Sequence, residues 1–296
     1  HVAEDLGEKI DYLLDGGPCA VGVESTIVDV TGPVPTLLRP GGITLEMLRQ
    51  MGYDHGELEQ ARKGKSIAKL IETSYVPNQD GVHYCDFCGV ELTGAEYDVL
   101  PDGRERCINC GRTSIKTEAE FRKLYQEAVE GMELFYGVRI DVPVKIKMVN
   151  AKRLHKYMGQ SFVPTAGMDG RAVGLACKKD YTILLENGAP RLRALMTLVH
   201  EMTHIWQYRN WDEAEIIRQY GQEQRKEVYE GMARWSEIQY AYLIGETATA
   251  KREEICTRFQ DDEYGHGFLK YVSRYPISEG TQLEGATPFE DKKTPL

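Results

Sequence analysis

The chain has 296 residues, 42% of them hydrophobic and 28% charged, with a formal net charge of −10. That length supports about two domains with cores of their own, and the acidic balance argues against a broad nucleic-acid surface. No apolar run approaches the roughly 20 residues of a membrane-crossing helix, so no membrane association is expected.

Residues 1–53 alternate short apolar runs with Gly and Pro turns. "STIVDV" and "PTLLRP" read as strands, and "TLEMLRQMG" as a helix capped by Thr44. Residues 54–80 are polar and read as a linker holding one short helix. Residues 81–114 carry "CDFC" and "CINC", separated by the 18 residues Gly89 to Arg106. Two such pairs can close a tetrahedral zinc site through Cys85, Cys88, Cys107 and Cys110, with no open position for water. A segment this small has little core, so the metal would supply much of its folding energy. Of the seven cysteines, four in tight pairs fit a reducing compartment and a cytoplasmic location. Cys177 and Cys256 read as buried apolar residues.

Thr117 and Glu120 form a capping box before a helix with Phe121, Leu124, Tyr125, Ala128 and Met132 at helical spacing, stopping near Gly137. "VPVKIKMV" alternates as a strand, and "RAVGLACKKDYTILLENG" reads as two strands around a Lys-Lys-Asp turn. "PRLRALMTLVHEMTHIWQYRN" is a helix with Pro190 in its first turn. A largely helical stretch follows, broken around Gly221. Two shorter helices come next, and residues 278–296 read as a disordered tail.

The helix at 191–210 carries His200, Glu201 and His204. At i and i+4 the imidazoles share one face and can reach one metal, and Glu201 lies beside them. Two imidazoles and a carboxylate would hold zinc with one position open, lowering the pKa of bound water toward ~7, and Glu201 would serve as general base. The third ligand is expected from "EVYEGMARWSEIQY". Glu230 is chosen, because its apolar neighbours imply burial and a buried carboxylate needs a cation; Glu227 comes second. Glu237 is placed as a partner for a ligating histidine. Tyr264 and His266, in a Gly-flanked loop, are candidate donors to an oxyanion, with Tyr229 a further possibility. The alternative for the two histidines is a plain core helix.

Residues from about 83 to 275 resemble the LIM-peptidase family. The resemblance rests on "CDFCG", "LPDGRERCINC", "LLENGAPRLRALMTLVHEMTHIWQ", "EGMARW" and "YGHGF". It implies a zincin-like peptidase with His200, His204 and Glu230 on zinc and Glu201 as base. The chain departs from the plant members in having one four-cysteine module, so neither their substrate nor their regulation carries over. Residues 1–53, through "GGPCAVGVESTIVDVTG" and "LLRPGGIT", resemble the C-terminal part of the YrdC-like threonylcarbamoyl-AMP synthases. These make an activated intermediate for tRNA modification from threonine, bicarbonate and ATP. That resemblance implies threonine contact at Ser25 and ATP contact at Arg39.

The expected architecture is therefore α+β: a partial YrdC-like α/β segment over 1–53, a linker over 54–80, a zinc-ribbon or LIM-like module over 81–114, a zincin-like domain over 115–277 and the tail. The leading expectation is a zinc metallopeptidase with one catalytic and one structural Zn2+, a protein or peptide substrate, and a possible protein partner at the four-cysteine module. No nucleic acid is expected for the peptidase part. The alternatives are a threonylcarbamoyl-AMP synthase piece fused to this region, as the His1 start suggests, or a non-catalytic zinc-binding interaction module.

Overall fold

The computed structural model describes residues 27–29, 36–39, 83–88, 90–92, 94–159, 162 and 172–290. The helix expected after Thr44, the linker over 54–80, Ser25 and Cys19 lie outside the described residues. In the N-terminal segment, β1 (Ile27–Asp29) and β2 (Thr36–Arg39) pair antiparallel with Val28 opposite Leu37, where "STIVDV" and "PTLLRP" place strands.

In the first cysteine segment, the Cys85 N–H donates to the Val90 carbonyl at 2.9 Å and the Leu92 N–H to the His83 carbonyl at 2.7 Å, closing a tight turn. His83 stacks on Tyr97 with ring centroids 5.7 Å apart. Strands β3 (Tyr97–Val99) and β4 (Glu105–Cys107) form a two-stranded sheet.

Helix α1 (Ile108–Thr113) follows β4 at once, N-capped by Cys107, and the sequence reading did not foresee it. Its signal is the cysteine itself, whose sulfur accepts the Cys110 N–H as an N-cap oxygen does. Helix α2 (Glu118–Tyr136) has both arms of the Thr117–Glu120 capping box and ends on Gly137 at φ 64°, a left-handed position that suits glycine. Strand β5 (Lys145–Val149) leads to α3 (Ala151–Tyr157), a second unforeseen helix, N-capped by Asn150. Strands β6 (Gly174–Cys177) and β7 (Thr182–Glu186) follow. The sheet order is β5-β7-β6, with β5 parallel and β6 antiparallel to β7. Central β7 is buried along its whole length, as its unbroken apolar run "ILL" requires.

The remaining helices are α4 (Arg191–Asn210), α5 (Glu213–Tyr220), α6 (Arg225–Leu243), α7 (Thr247–Arg258) and α8 (Glu263–Arg274). Pro190 occupies the N-cap of α4, and Gly221, at φ 90°, separates α5 from α6. Helix α4 packs on β6 and β7 with one side and on α6 with the other, while α6 packs on α8. Trp235, Met202, Ile205, Ile238 and Phe268 are buried among these helices.

Arg104 anchors the second cysteine segment. Its guanidinium is fully buried and pairs with Asp102 and Glu186. It also donates to the Asn187 carbonyl at 3.0 Å and to Asn187 Oδ1 at 2.7 Å. Asp102 in turn accepts the Ala151 N–H at 3.1 Å. Asp102 and Glu186 are buried and Asn187 is partly so, and the charge is matched rather than stranded.

Two expectations need correction. The tail is not disordered over its described part: Phe289 is 5% exposed and lies against Tyr136 and Trp206, each 5.1 Å away by ring centroid. Ser278 exchanges backbone hydrogen bonds with the Gln239 side chain at 2.7 and 2.9 Å. One aromatic anchor in a polar tail suffices when a pocket between two helices awaits it, and composition is blind to that pocket. The second correction concerns "DDEYGHGF", which is the start of a helix and not a loop. Asp262 accepts from the N–H groups of Tyr264 and Gly265, both at 3.0 Å, and a Cβ on Gly265 or Gly267 would collide with the carbonyl oxygen of Gln260 or Glu227, so the glycines serve close packing. Among the described residues no helix is long and apolar enough to cross a membrane.

Candidate metal centre

Helix α4 presents His200 and His204 on one face, and α6 brings Glu230 to them. The Nε2 atoms of the two histidines lie 3.2 Å apart, and each lies 3.3 Å from the same Glu230 oxygen. One ligand atom from each residue falls within 4.8 Å of the others. The opposite ring nitrogens are already engaged. His200 Nδ1 lies 3.2 Å from Glu237 Oε2, and His204 Nδ1 lies 2.8 Å from Gln207 Oε1. The Gln207 amide is oriented by donating to the Tyr229 carbonyl at 2.9 Å, which leaves its oxygen facing His204. Both imidazoles are thus set to donate from Nδ1 and to turn Nε2 lone pairs toward one point. Two lone pairs and a carboxylate facing each other at such distances call for a cation.

The electrostatics point the same way. Burial opposes charge on His200, but its hydrogen bonds to Glu230 and Glu237 prevail and raise its pKa to about 10. Burial likewise opposes charge on Glu230, yet the two histidines hold its carboxyl far below the usual range. Positive charge is wanted here, as protons or as a metal ion. The donor set fits a divalent ion such as zinc with coordination left open, because it offers fewer than four protein ligands.

Glu201 is buried beside the site, and desolvation raises its pKa against the pull of His200 and His204. It packs under β6, where Gly174 leaves room for it: a Cβ there would lie 2.9 Å from the Glu201 side chain and 2.5 Å from Thr197. Tyr264 tilts over His200 with centroids 6.3 Å apart, and Tyr208 stacks on His204 at 6.0 Å. Tyr208 had no motif to announce it, although it stands one turn beyond His204 on the same face.

Other expected residues do not join this group. His266 is exposed and bound to Asp261 at 2.9 Å, since α8 turns it about 200° away from Tyr264. Glu227 pairs with Lys270 outside the triad. Tyr229 lies against Trp211, with centroids 5.1 Å apart. Cys177 and Cys256 are only partly buried. Arg39 ends β2, and its side chain, like Ser25, lies outside what is described.

The thiols of Cys85, Cys88, Cys107 and Cys110 also lie within 4.8 Å of one another, a possible four-cysteine metal site.

Comparison with known proteins finds a family match in the N-terminal segment and relatives whose likeness extends beyond its length. The Sua5/YciO/YrdC family model, described as telomere recombination, matches residues 1–41. The threonylcarbamoyl-AMP synthase of Pyrococcus abyssi is 40% identical over 179 residues, covering 60% of this chain and 49% of that protein. The Bacillus subtilis threonylcarbamoyl-AMP synthase is 52% identical over 85 residues, 28% of this chain and 22% of that protein. The Schizosaccharomyces pombe threonylcarbamoyl-AMP synthase is 42% identical over 84 residues, 28% of this chain and 20% of that protein. The chain therefore spans between a fifth and a half of these relatives. No solved structure matches it.

These findings support the YrdC-like resemblance and an α+β chain carrying that segment. They overturn the expectation of a zinc metallopeptidase, and with it the hydrolase and protease assignment, because the matching relatives are synthases. The LIM-peptidase resemblance and the zincin-like domain find no support among them. The physical lesson is that two histidines at i, i+4 specify a place for a cation, and a place for a cation does not specify a reaction.

Proposed function

We propose that this chain carries the C-terminal part of a threonylcarbamoyl-AMP synthase, joined to a zinc-holding α+β domain, and that the whole protein acts in tRNA modification. The observation that carries this reading is the 40–52% identity to three named synthases. The family model at residues 1–41 supports it, and so does the β1–β2 pairing that brings "STIVDV" beside "PTLLRP". Ser25 serves the threonine and Arg39 the ATP, a guanidinium being well suited to phosphate. A cytoplasmic location accords with that role.

The test uses the product of the complete reading frame, incubated with threonine, bicarbonate and ATP. Threonylcarbamoyl-adenylate is read by mass spectrometry and pyrophosphate release by a coupled assay. Formation of the adenylate is expected, with Ser25→Ala and Arg39→Ala each slowing it at least about tenfold, the scale of about 1.4 kcal/mol of lost transition-state binding. Absence of adenylate from that protein would sink the reading.

The larger domain is read as a zinc-binding module with one Zn2+ at the four cysteines and one at His200, His204 and Glu230. The convergence of the two ligand sets supports this. The four-cysteine module would offer a surface to a protein partner, and loss of a co-purifying partner on Cys85→Ser, but not on His200→Ala, is the expected result.

A further inference from the structure

We infer that Arg234 is a positioning residue for the metal centre: it fixes Glu237, which fixes His200 with Nε2 free for the metal. The inference rests on the reading that His200 and His204 hold a metal ion. Arg234 and Glu237 lie one turn apart on α6, with side chains 14% and 4% exposed. The guanidinium lies 2.9 Å from Glu237 Oε2, the same oxygen that stands 3.2 Å from His200 Nδ1. The second terminal nitrogen of Arg234 faces Glu253 at 3.7 Å. Glu253, on α7, is held by Arg252 at 2.8 Å and faces Arg193 at 3.9 Å, and Arg193 belongs to the same helix as His200. A layer of alternating charge, with its carboxylates buried and its guanidiniums partly so, thus connects α4, α6 and α7 behind one ligand.

The layer matters because a neutral imidazole has two tautomers, and only the one protonated at Nδ1 offers its Nε2 lone pair to a metal. His204 is held in that state by Gln207, an amide locked by the Tyr229 carbonyl. His200 instead faces a carboxylate, which can rotate unless a fixed cation holds it. Arg234 supplies that cation with a planar fork that a flexible side chain lacks. Without it Glu237 leaves its position, His200 loses a fixed acceptor, and both tautomers are populated.

The test is zinc binding by the full chain, measured by competition with a chelator. A His200→Ala/His204→Ala double variant identifies the site that is lost. Arg234→Met is expected to weaken zinc at that site by about 10–100-fold, the range for loss of a supporting partner, and to leave the four-cysteine site unchanged. Arg234→Lys is expected to recover only part of the affinity, because an ammonium still pairs with Glu237 but lacks the planar fork that also faces Glu253. Histidine 15N spectra of the zinc-loaded chain are expected to show His200 protonated at Nδ1 with Nε2 on the metal, and a second population with the two nitrogens exchanged in Arg234→Met. Glu253→Gln releases Arg234 from its second partner with little change of shape, and is expected to shift zinc affinity the same way by a smaller factor, which covers the case that Arg234→Met does not fold. Wild-type zinc affinity and an unchanged tautomer in these variants would overturn the inference. Equal zinc content in the wild type and the double histidine variant would instead overturn the metal reading on which it stands.

Discussion

Gly231 and Gly267 meet backbone to backbone where α6 crosses α8. A Cβ on Gly231 would lie 2.3 Å from the Gly267 carbonyl carbon, and one on Gly267 would lie 2.1 Å from the Glu227 carbonyl oxygen. Neither obstacle is a flexible side-chain end, so neither can move aside cheaply. This contact sets how far α8 approaches, and so how closely Tyr264 stands over His200. Gly231→Ala is expected to destabilise the fold by at least about 1–3 kcal/mol, the usual cost of overpacking. Urea unfolding followed by circular dichroism checks this, and an unchanged midpoint would show that the helices are not in such contact.

Arg104 gives a second expectation. Removing one member of a buried ion pair costs about 3–5 kcal/mol, because the other charge is left alone. Arg104→Met should reach that range, since Glu186 is fully buried and Asp102 nearly so. Arg104→Lys should recover little, because an ammonium cannot reach Asp102, Glu186 and Asn187 together. Denaturant midpoints for both variants decide the point, and a full rescue by lysine would count against the multidentate role.

The same pair predicts an acid limit. Burial would raise the Asp102 carboxyl, but hydrogen bonding and charge from Arg104 outweigh it and lower the pKa in the folded state. A lowered folded pKa contributes stability that is complete above the unfolded value, about 3.9, and is lost as pH falls through the folded value. Stability of Arg104→Met should therefore depend less on pH below about 4 than that of the wild type. Parallel pH-dependent unfolding curves would refute this.

The C-terminal strap is testable by Phe289→Ala. The ring fills a pocket between Tyr136 and Trp206, and truncating a buried phenylalanine costs about 3 kcal/mol or more. A lower melting temperature with unchanged zinc content is expected. Should the melting temperature hold, the strap contributes no stability.

Metal removal is the fifth expectation. Elemental analysis should give two zinc ions per chain and one in the His200→Ala/His204→Ala variant, from the two ligand sets. A strong chelator should lower the melting temperature, because metal binding contributes to folding where the core is small. One zinc in both proteins would confine the metal to the cysteines.

Much of this molecule was determined by local sequence. The capping box at Thr117 and Glu120, the break at Gly221, the hairpin around Lys178–Asp180 and the shared face of His200 and His204 follow from backbone geometry within a few residues. The sequence also identified the synthase-like segment, which the comparisons bear out at residues 1–41. It did not determine a reaction: the ligand spacing was legible, but the peptidase reading built on it was wrong. Tertiary structure alone decided that Tyr264 faces the histidines while His266 faces Asp261, because a helix replaced the expected loop. It alone locked Gln207 onto Tyr229 and placed Arg234 behind Glu237 and Glu253. Helical periodicity reaches one or two turns, whereas those orientations depend on how closely α4, α6 and α8 pack, and between α6 and α8 that distance is set by Gly231 and Gly267, which are far apart in the chain.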